Sequence, residues 1–186
     1  GVIGTGGRGT GAARDCVAAD PAVQIHALGD LFPDRVEGAF ADLSGKNAGK
    51  PNAKPAIAAD QFTVTEERCF SGFDAFQKVL SSGVDLVILA APPQFRPQHL
   101  EAAIGAGVHV FAEKPVAVDV AGVRRVIAVA AEAKRKKLAI VAGTQRRHSA
   151  SYLETMKRIE DGAIGELVGG QCYWLQDGLW HRGRQP

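Results

Sequence analysis

Residues 2–20 read VIGTGGRGTGAARDCVAAD, and the glycine spacing in this stretch constrains the fold more than any other feature of the chain. Gly4, Gly6 and Gly9 fall in the pattern G-x-G-x-x-G. With 22 glycines among 186 residues the pattern can arise by accident, so its flanks decide its meaning. Val2 and Ile3 precede it as the tail of an apolar strand, and Ala12, Ala13, Cys16 and Val17 follow at helical spacing. A strand therefore hands over to a helix through the glycines. In a dinucleotide site the first glycine permits the tight turn, the second lets backbone approach the pyrophosphate, and the third lets helix and strand pack closely. The free N–H groups and positive dipole end of the helix then face the phosphate charge. Thr5, Gly7 and Arg8 complete this expected cofactor-binding loop.

A second strand should end in an acid about 20 residues beyond such a motif, placed to accept hydrogen bonds from the ribose hydroxyls. Residues 23–30, VQIHALGD, alternate into Asp30. An Arg there would suit a 2′-phosphate, whereas the Asp30 carboxylate repels one, so NAD is expected over NADP.

Strand and helix patterns continue to alternate, which predicts an α/β fold with a doubly wound parallel sheet of the Rossmann type. A helix is predicted over 33–43, followed by an exposed Gly/Lys/Asn/Pro-rich loop over 44–60. Ser71 and Asp74 fit a capping box before a helix carrying Phe73, Phe76 and Leu80 and stopped by Gly83. Residues 84–93, VDLVILAAPP, suit a strand buried on both faces. Pro97 opens a helix that stops near Gly105 or Gly107, and VHVFAEKP, residues 108–115, is the next strand. Asp119 caps a helix whose apolar side carries Val123, Val126, Ile127 and Ala130, and the basic run 134–137 forms its solvated end. Residues 138–145 form a sixth strand, and Ser151 with Glu154 fits a capping box before a helix to about Gly162. This reading sets an NAD-binding domain over 1–148. Residues 149–186 then supply a connecting helix and, over 166–180, the first strand of a truncated α/β substrate or oligomerisation domain.

Bulk properties narrow the partners. At 46% hydrophobic the chain can bury a sizeable core, and a net charge of +2 without aromatic interleaving of the basic residues argues against nucleic acid. No window approaches the roughly 18 apolar residues of a membrane span, and no signal-peptide pattern is visible. A cytoplasmic location is the default expectation; the chain starts at Gly1 without Met, which leaves export open. Cys16, Cys69 and Cys172 lack metal-pair spacing and are expected to be reduced and buried, and no metal is expected.

Glu113-Lys114-Pro115 follows a buried strand at the carboxyl edge of the sheet, where open α/β folds bind ligands. A lysine there can hydrogen-bond a substrate hydroxyl and exchange a proton with it. From spacing alone, a surface Glu–Lys pair at a strand end reads equally well.

Taken together, GVIGTGGRG, ILAAPPQFRPQHLEAAIGAGVHVFAEKPVAVD and GTQRRHSASYLETMKRIEDGAIGELV closely resemble the Gfo/Idh/MocA family of NAD(P)-dependent oxidoreductases over essentially the whole chain. The resemblance implies that Lys114 is the active-site lysine beside the nicotinamide and the reacting carbon. It also implies that Glu113 contacts the cofactor and that the Lys114-Pro115 bond is cis. Ala91, Pro92 and Gln94 would border the nicotinamide ribose, and Gln145 and Arg147 would face the active site. Two departures stand out. Where many relatives carry T-P-N-x-x-H, this chain has Ala91-Pro92-Pro93-Gln94-Phe95-Arg96, so the Asn and His contacts do not carry over. The family's Asp and His, four residues apart in the second domain, would lie beyond Pro186. His148 reads as a cap or surface residue and His181 as part of a loop.

The function so implied is hydride transfer between NAD and a carbinol of a sugar, cyclitol or related polyol, in a protein that is a homo-oligomer when complete. Two rivals are an NAD-dependent glycosidase that oxidises its sugar transiently, and a non-catalytic NAD-binding sensor.

Overall fold

The computed structural model describes residues 1–177. It divides into two compact units, Gly1–Thr144 and Gln145–Pro186, so the boundary expected near His148 falls between Thr144 and Gln145.

The first unit is built on six parallel strands: β1 (Val2–Ile3), β2 (Leu28–Asp30), β3 (Cys69–Ser71), β4 (Leu86–Leu89), β5 (His109–Ala112) and β6 (Ile140–Ala142). Their order is β3-β2-β1-β4-β5-β6. The chain builds outward from β1 through β2 to β3, then returns to β1's other side and builds outward through β4, β5 and β6. The reversal creates a crevice beyond the carboxyl ends of β1 and β4, the position at which doubly wound sheets bind dinucleotides. Five helices connect the strands: α1 (Gly7–Ala19), α2 (Pro33–Leu43), α3 (Ala75–Leu80), α4 (Arg96–Gly105) and α5 (Val120–Arg135).

Alternation along the strands feeds two cores. Ile3, Val87, Leu89, Val110 and Ala112 point to one face, where Phe76, Val79, Leu100, Ile104 and Val129 cover them. Val2, Leu28 and Ile88 point to the other, against Ala12, Ala13, Val36, Ala39 and Leu43. Each large side chain so buried contributes about 1.5–3 kcal/mol relative to exposure. The continuously apolar β4 follows from this: Val87, Ile88 and Leu89 are all buried, though on alternating faces.

Several local expectations are corrected. Only residues 28–30 of the predicted strand 23–30 pair as β2; Ile25 makes an isolated bridge to Phe62 instead. The capping box at Ser71 does not form. Ser71 ends β3, a strand whose residues the sequence reading did not delineate, and the N-cap of α3 is Asp74, without a side-chain cap bond. Phe73 is consequently exposed rather than part of the α3 stripe. Asp119 does cap α5, its Oδ1 accepting from Gly122 N at 2.5 Å. The buried face of α5, however, is Val129 and Ala133 with Val126 packed beside them, while Val123 and Ile127 are exposed. Two apolar stripes lie side by side on this helix, and its contact with α4 selects one: Arg125 Nε donates to Glu101 Oε2 at 2.7 Å and Lys136 Nζ to Ile104 O at 2.9 Å.

In the second unit, a short 3₁₀ turn (Gln145–His148) leads into α6 (Ala150–Glu160). Its N-cap is Ser149, so Ser151 lies inside the helix, and Glu154 pairs with Arg158 Nε at 2.7 Å instead of closing a capping box. Residues 166–177 of the predicted strand 166–180 form no strand, and 178–180 lie outside the described residues, as does His181. A strand needs a partner for its backbone N–H and C=O groups, and none of the described residues pairs with this segment. Cys16 and Cys69 are half-buried free thiols, while Cys172 is exposed, contrary to expectation. No described helix is long and apolar enough to cross a membrane.

Candidate functional site

The three motif glycines do different work. Gly4 follows β1 at φ +92°, and a Cβ there would lie 2.2 Å from Ala91 N. The two loops that meet at the strand-order reversal can approach this closely only with hydrogen at that position. A Cβ at Gly9 would lie 1.9 Å from Gly4 O, so Gly9 is required for α1 to pack on its own entry loop. At Gly6 and Gly7 a Cβ would meet nothing within 4 Å. No packing among the described residues explains glycine there, and the space above them is open. Gly6 is the N-cap of α1 and makes no side-chain cap bond, and the first bond along the helix is Thr10 N to Gly6 O at 3.0 Å. The amides of the first turn precede that bond and have no helical acceptor, which leaves donors and a positive dipole end free for an anion.

Asp30 ends β2 beside this loop. Its Oδ2 accepts from Thr5 N at 2.7 Å and Thr5 Oγ1 at 3.3 Å, and its Oδ1 accepts from Phe32 N at 3.2 Å. The carboxylate is thus a brace for the glycine loop as well as a candidate ribose acceptor. The bracing role was not anticipated from the sequence.

Across the crevice, β5 runs into Glu113, which is buried, and Lys114, which is exposed; the Lys114-Pro115 peptide bond is cis, as the resemblance implies. Glu113 Oε1 accepts from Arg8 Nε at 2.7 Å. Behind it Gly143 makes room: a Cβ there would come within 2.9 Å of the same oxygen. With the Glu113 side chain 7% exposed and that of Arg8 51%, removing Arg8 would leave a desolvated carboxylate without its hydrogen-bonded cation. The pair joins the N-terminal turn of α1 to the residue before Lys114. Ala91, Pro92 and Gln94 follow β4 on the same edge, Ala91 half-buried and the other two exposed. Gln145 and Arg147 belong to the second unit, where both are exposed on the 3₁₀ turn, as is His148.

Arg96 was not singled out from the sequence. It is 3% exposed, and its guanidinium donates to Pro115 O and, at 2.6 Å, to Ala91 O. Burial draws its pKa down, and Glu113 opposes that shift. One turn on, His99 stacks with Phe76 at 4.4 Å and Phe95 at 5.9 Å between ring centroids. Its pKa is lowered to about 4, chiefly by burial and then by Arg96. A signal for Arg96 was present: it opens α4, where a cation opposes the helix dipole and needs another reason to be there.

The family model for an oxidoreductase family with an NAD-binding Rossmann fold, Gfo/Idh/MocA, matches residues 1–142. The chain belongs to that family. Among Gfo/Idh/MocA relatives, inositol 2-dehydrogenase of Klebsiella pneumoniae is 28% identical over 172 residues, covering 92% of this chain and 44% of its own. A glycosyl hydrolase family 109 protein of Streptomyces coelicolor is also 28% identical, over 176 residues, with coverage of 95% and 34%. The structure of scyllo-inositol dehydrogenase from Lactobacillus casei, with bound NAD(H) and scyllo-inositol, superposes at TM-score 0.66 and 20% identity, covering 89% of this chain and 41% of that one. This likeness shows the shared fold. The chain spans less than half the length of the curated relatives it matches. The family implies a bound dinucleotide, and the residues present fit one: the open space over Gly6 and Gly7 would admit a pyrophosphate, and Asp30 beside the loop would face the ribose end.

Proposed function

We propose that this chain is the NAD-binding part of an enzyme that transfers a hydride reversibly between NAD and a carbinol carbon of a cyclitol, sugar or related polyol. The observation that carries the reading is the Arg8–Glu113 pair, which anchors the residue before Lys114 to the end of α1 that faces the phosphate crevice. Lys114 is thereby held at the edge of a dinucleotide site. The inositol 2-dehydrogenase relative supports the substrate class.

When bound, the nicotinamide supplies the hydride acceptor. The residues of this chain supply alignment and charge. The first-turn amides of α1 would hold the pyrophosphate, Asp30 would accept from the ribose hydroxyls and disfavour a 2′-phosphate, and Ala91, Pro92 and Gln94 would border the nicotinamide end. Glu113 would complete the contacts expected of this unit. Lys114 hydrogen-bonds the substrate hydroxyl and stabilises the negative charge that grows on its oxygen as the proton leaves. By the family resemblance, the proton would pass to the Asp and His pair expected in the second domain.

The test is Lys114→Ala in the complete protein, with turnover of a polyol panel followed by NADH absorbance and NAD affinity measured separately. Turnover should fall at least about a hundredfold, the cost of losing an oxyanion donor, with NAD affinity nearly unchanged. A loss under about tenfold would reduce Lys114 to a structural residue. Sugar product released at constant NADH absorbance would favour the glycosidase. NAD binding without turnover of any substrate would favour a sensor.

A further inference from the structure

We propose that Arg96 is a positioning residue for Lys114: its guanidinium ties the loop after β4, at Ala91, to the turn after β5, at Pro115, and so fixes the backbone that presents the lysine. The inference rests on the role proposed for Lys114 and adds a residue that acts through it.

Two observations carry the inference. First, the two acceptors are the carbonyls of Ala91 and Pro115, which belong to loops following adjacent strands of the sheet. Pro115 directly follows Lys114, and Ala91 abuts Gly4 at the strand-order reversal. One planar group therefore spans the nicotinamide side of the expected cofactor site and the expected catalytic residue. A guanidinium can do this because its fork presents several N–H donors in fixed directions.

Second, the arrangement is costly as scaffolding. Arg96 is 3% exposed, it opens a helix at the end where the dipole disfavours cations, and its hydrogen-bonded partners are neutral carbonyls, with the Glu113 charge offsetting only part of the burial. Its buried Nε has no partner among the described residues. Residues that break local rules in this way concentrate at functional sites.

The experiment uses the complete protein and the variants Arg96→Met, Arg96→Lys, Lys114→Ala and Arg96→Met/Lys114→Ala, with thermal unfolding, NAD affinity, KM and kcat for each. Misplacing a reacting group by about 1 Å costs on the order of a hundredfold in rate, so Arg96→Met should lower kcat by about that factor while NAD affinity stays within about threefold. Arg96→Lys, whose ammonium can reach one carbonyl at a time, should recover part of the loss. If Arg96 acts through Lys114, the loss should nearly vanish, to under about threefold, in the Lys114→Ala background. An unchanged kcat in a folded Arg96 variant would overturn the proposal. So would an equal loss of NAD affinity, or an undiminished loss in the Lys114→Ala background. Failure of both Arg96→Met and Arg96→Lys to fold would assign Arg96 to the scaffold and overturn it as well. If Lys114→Ala itself retains turnover, the underlying reading of Lys114 has failed; if it is inactive and Arg96→Met is fully active, only the positioning role has.

Discussion

Gly9 and Gly6 belong to one motif, yet their substitution should separate stability from binding. In Gly9→Ala the added Cβ would sit 1.9 Å from Gly4 O, and the clash is with backbone rather than with a movable side-chain end. Relief requires α1 to shift away from the loop after β1, where Ala12 and Ala13 are buried against Val2 and Leu28. Overpacking a rigid site costs about 1–3 kcal/mol, occasionally more, and this contact is at the severe end. For a chain of this size about 3 kcal/mol corresponds to a fall in Tm of roughly 6–12 °C. Gly6→Ala behaves differently. Its φ of −66° and ψ of −174° suit any residue, and the new Cβ meets nothing within 4 Å. A gain of about 0.4–1 kcal/mol from reduced unfolded-state entropy is offset by a cap penalty of about 0.5–1 kcal/mol, so Tm should stay nearly constant. Gly6→Val should go further in the binding direction, placing a branched side chain where the proposed pyrophosphate site lies. Its affinity for NAD and NADP alike should fall at least tenfold, about 1.4 kcal/mol. Thermal unfolding and calorimetric titration of the variants provide the test. A Gly9→Ala protein as stable as the parent would refute the packing argument, and a Gly6→Val protein with undiminished NAD affinity would refute the placement of the pyrophosphate.

Asp30→Ala should weaken NAD by about 1–3 kcal/mol and narrow its preference over NADP, measured by titration with both cofactors; unchanged affinity and preference would remove Asp30 from the site. The lowered pKa of His99, about 4, makes its neutral form the folded one. Its contribution to stability should be complete above pH 6.5 and be lost as pH falls toward about 4, so urea unfolding of His99→Phe should show a shallower slope in that window than the parent. Leu167, Val168, Tyr173, Trp174 and Leu175 are all exposed, so the 186-residue polypeptide should self-associate in sedimentation more than one ending at Gly165. A monodisperse 186-residue chain would contradict this.

The glycine motif, Asp30 and the strand-to-helix alternation are legible because each depends on residues close in sequence: a turn that needs hydrogen in place of a side chain, an acid at a strand end, an apolar period. These local signals were enough for the Rossmann fold and named the candidates for its crevice. Signals that depend on where an element begins were misread. Ser71 and Ser151 match a capping pattern, but Ser71 was taken into β3 by its pairing with Asp30, and Ser151 was placed inside α6 by a start at Ala150. The buried face of α5 could not be chosen from periodicity, because adjacent apolar stripes fit equally until α4 is packed against it. The strand predicted over 166–180 carries an apolar pattern with no partner among the described residues, and pattern without pairing does not make a strand. The same reason hides the charged machinery behind Lys114. Arg8 and Glu113 lie 105 positions apart, and Arg96 reaches Pro115 across 19. Such contacts exist only once the parallel crossovers have brought the carboxyl ends of β1, β4 and β5 together, so residue type and spacing along the chain identify the candidates while only the folded sheet decides which of them meet.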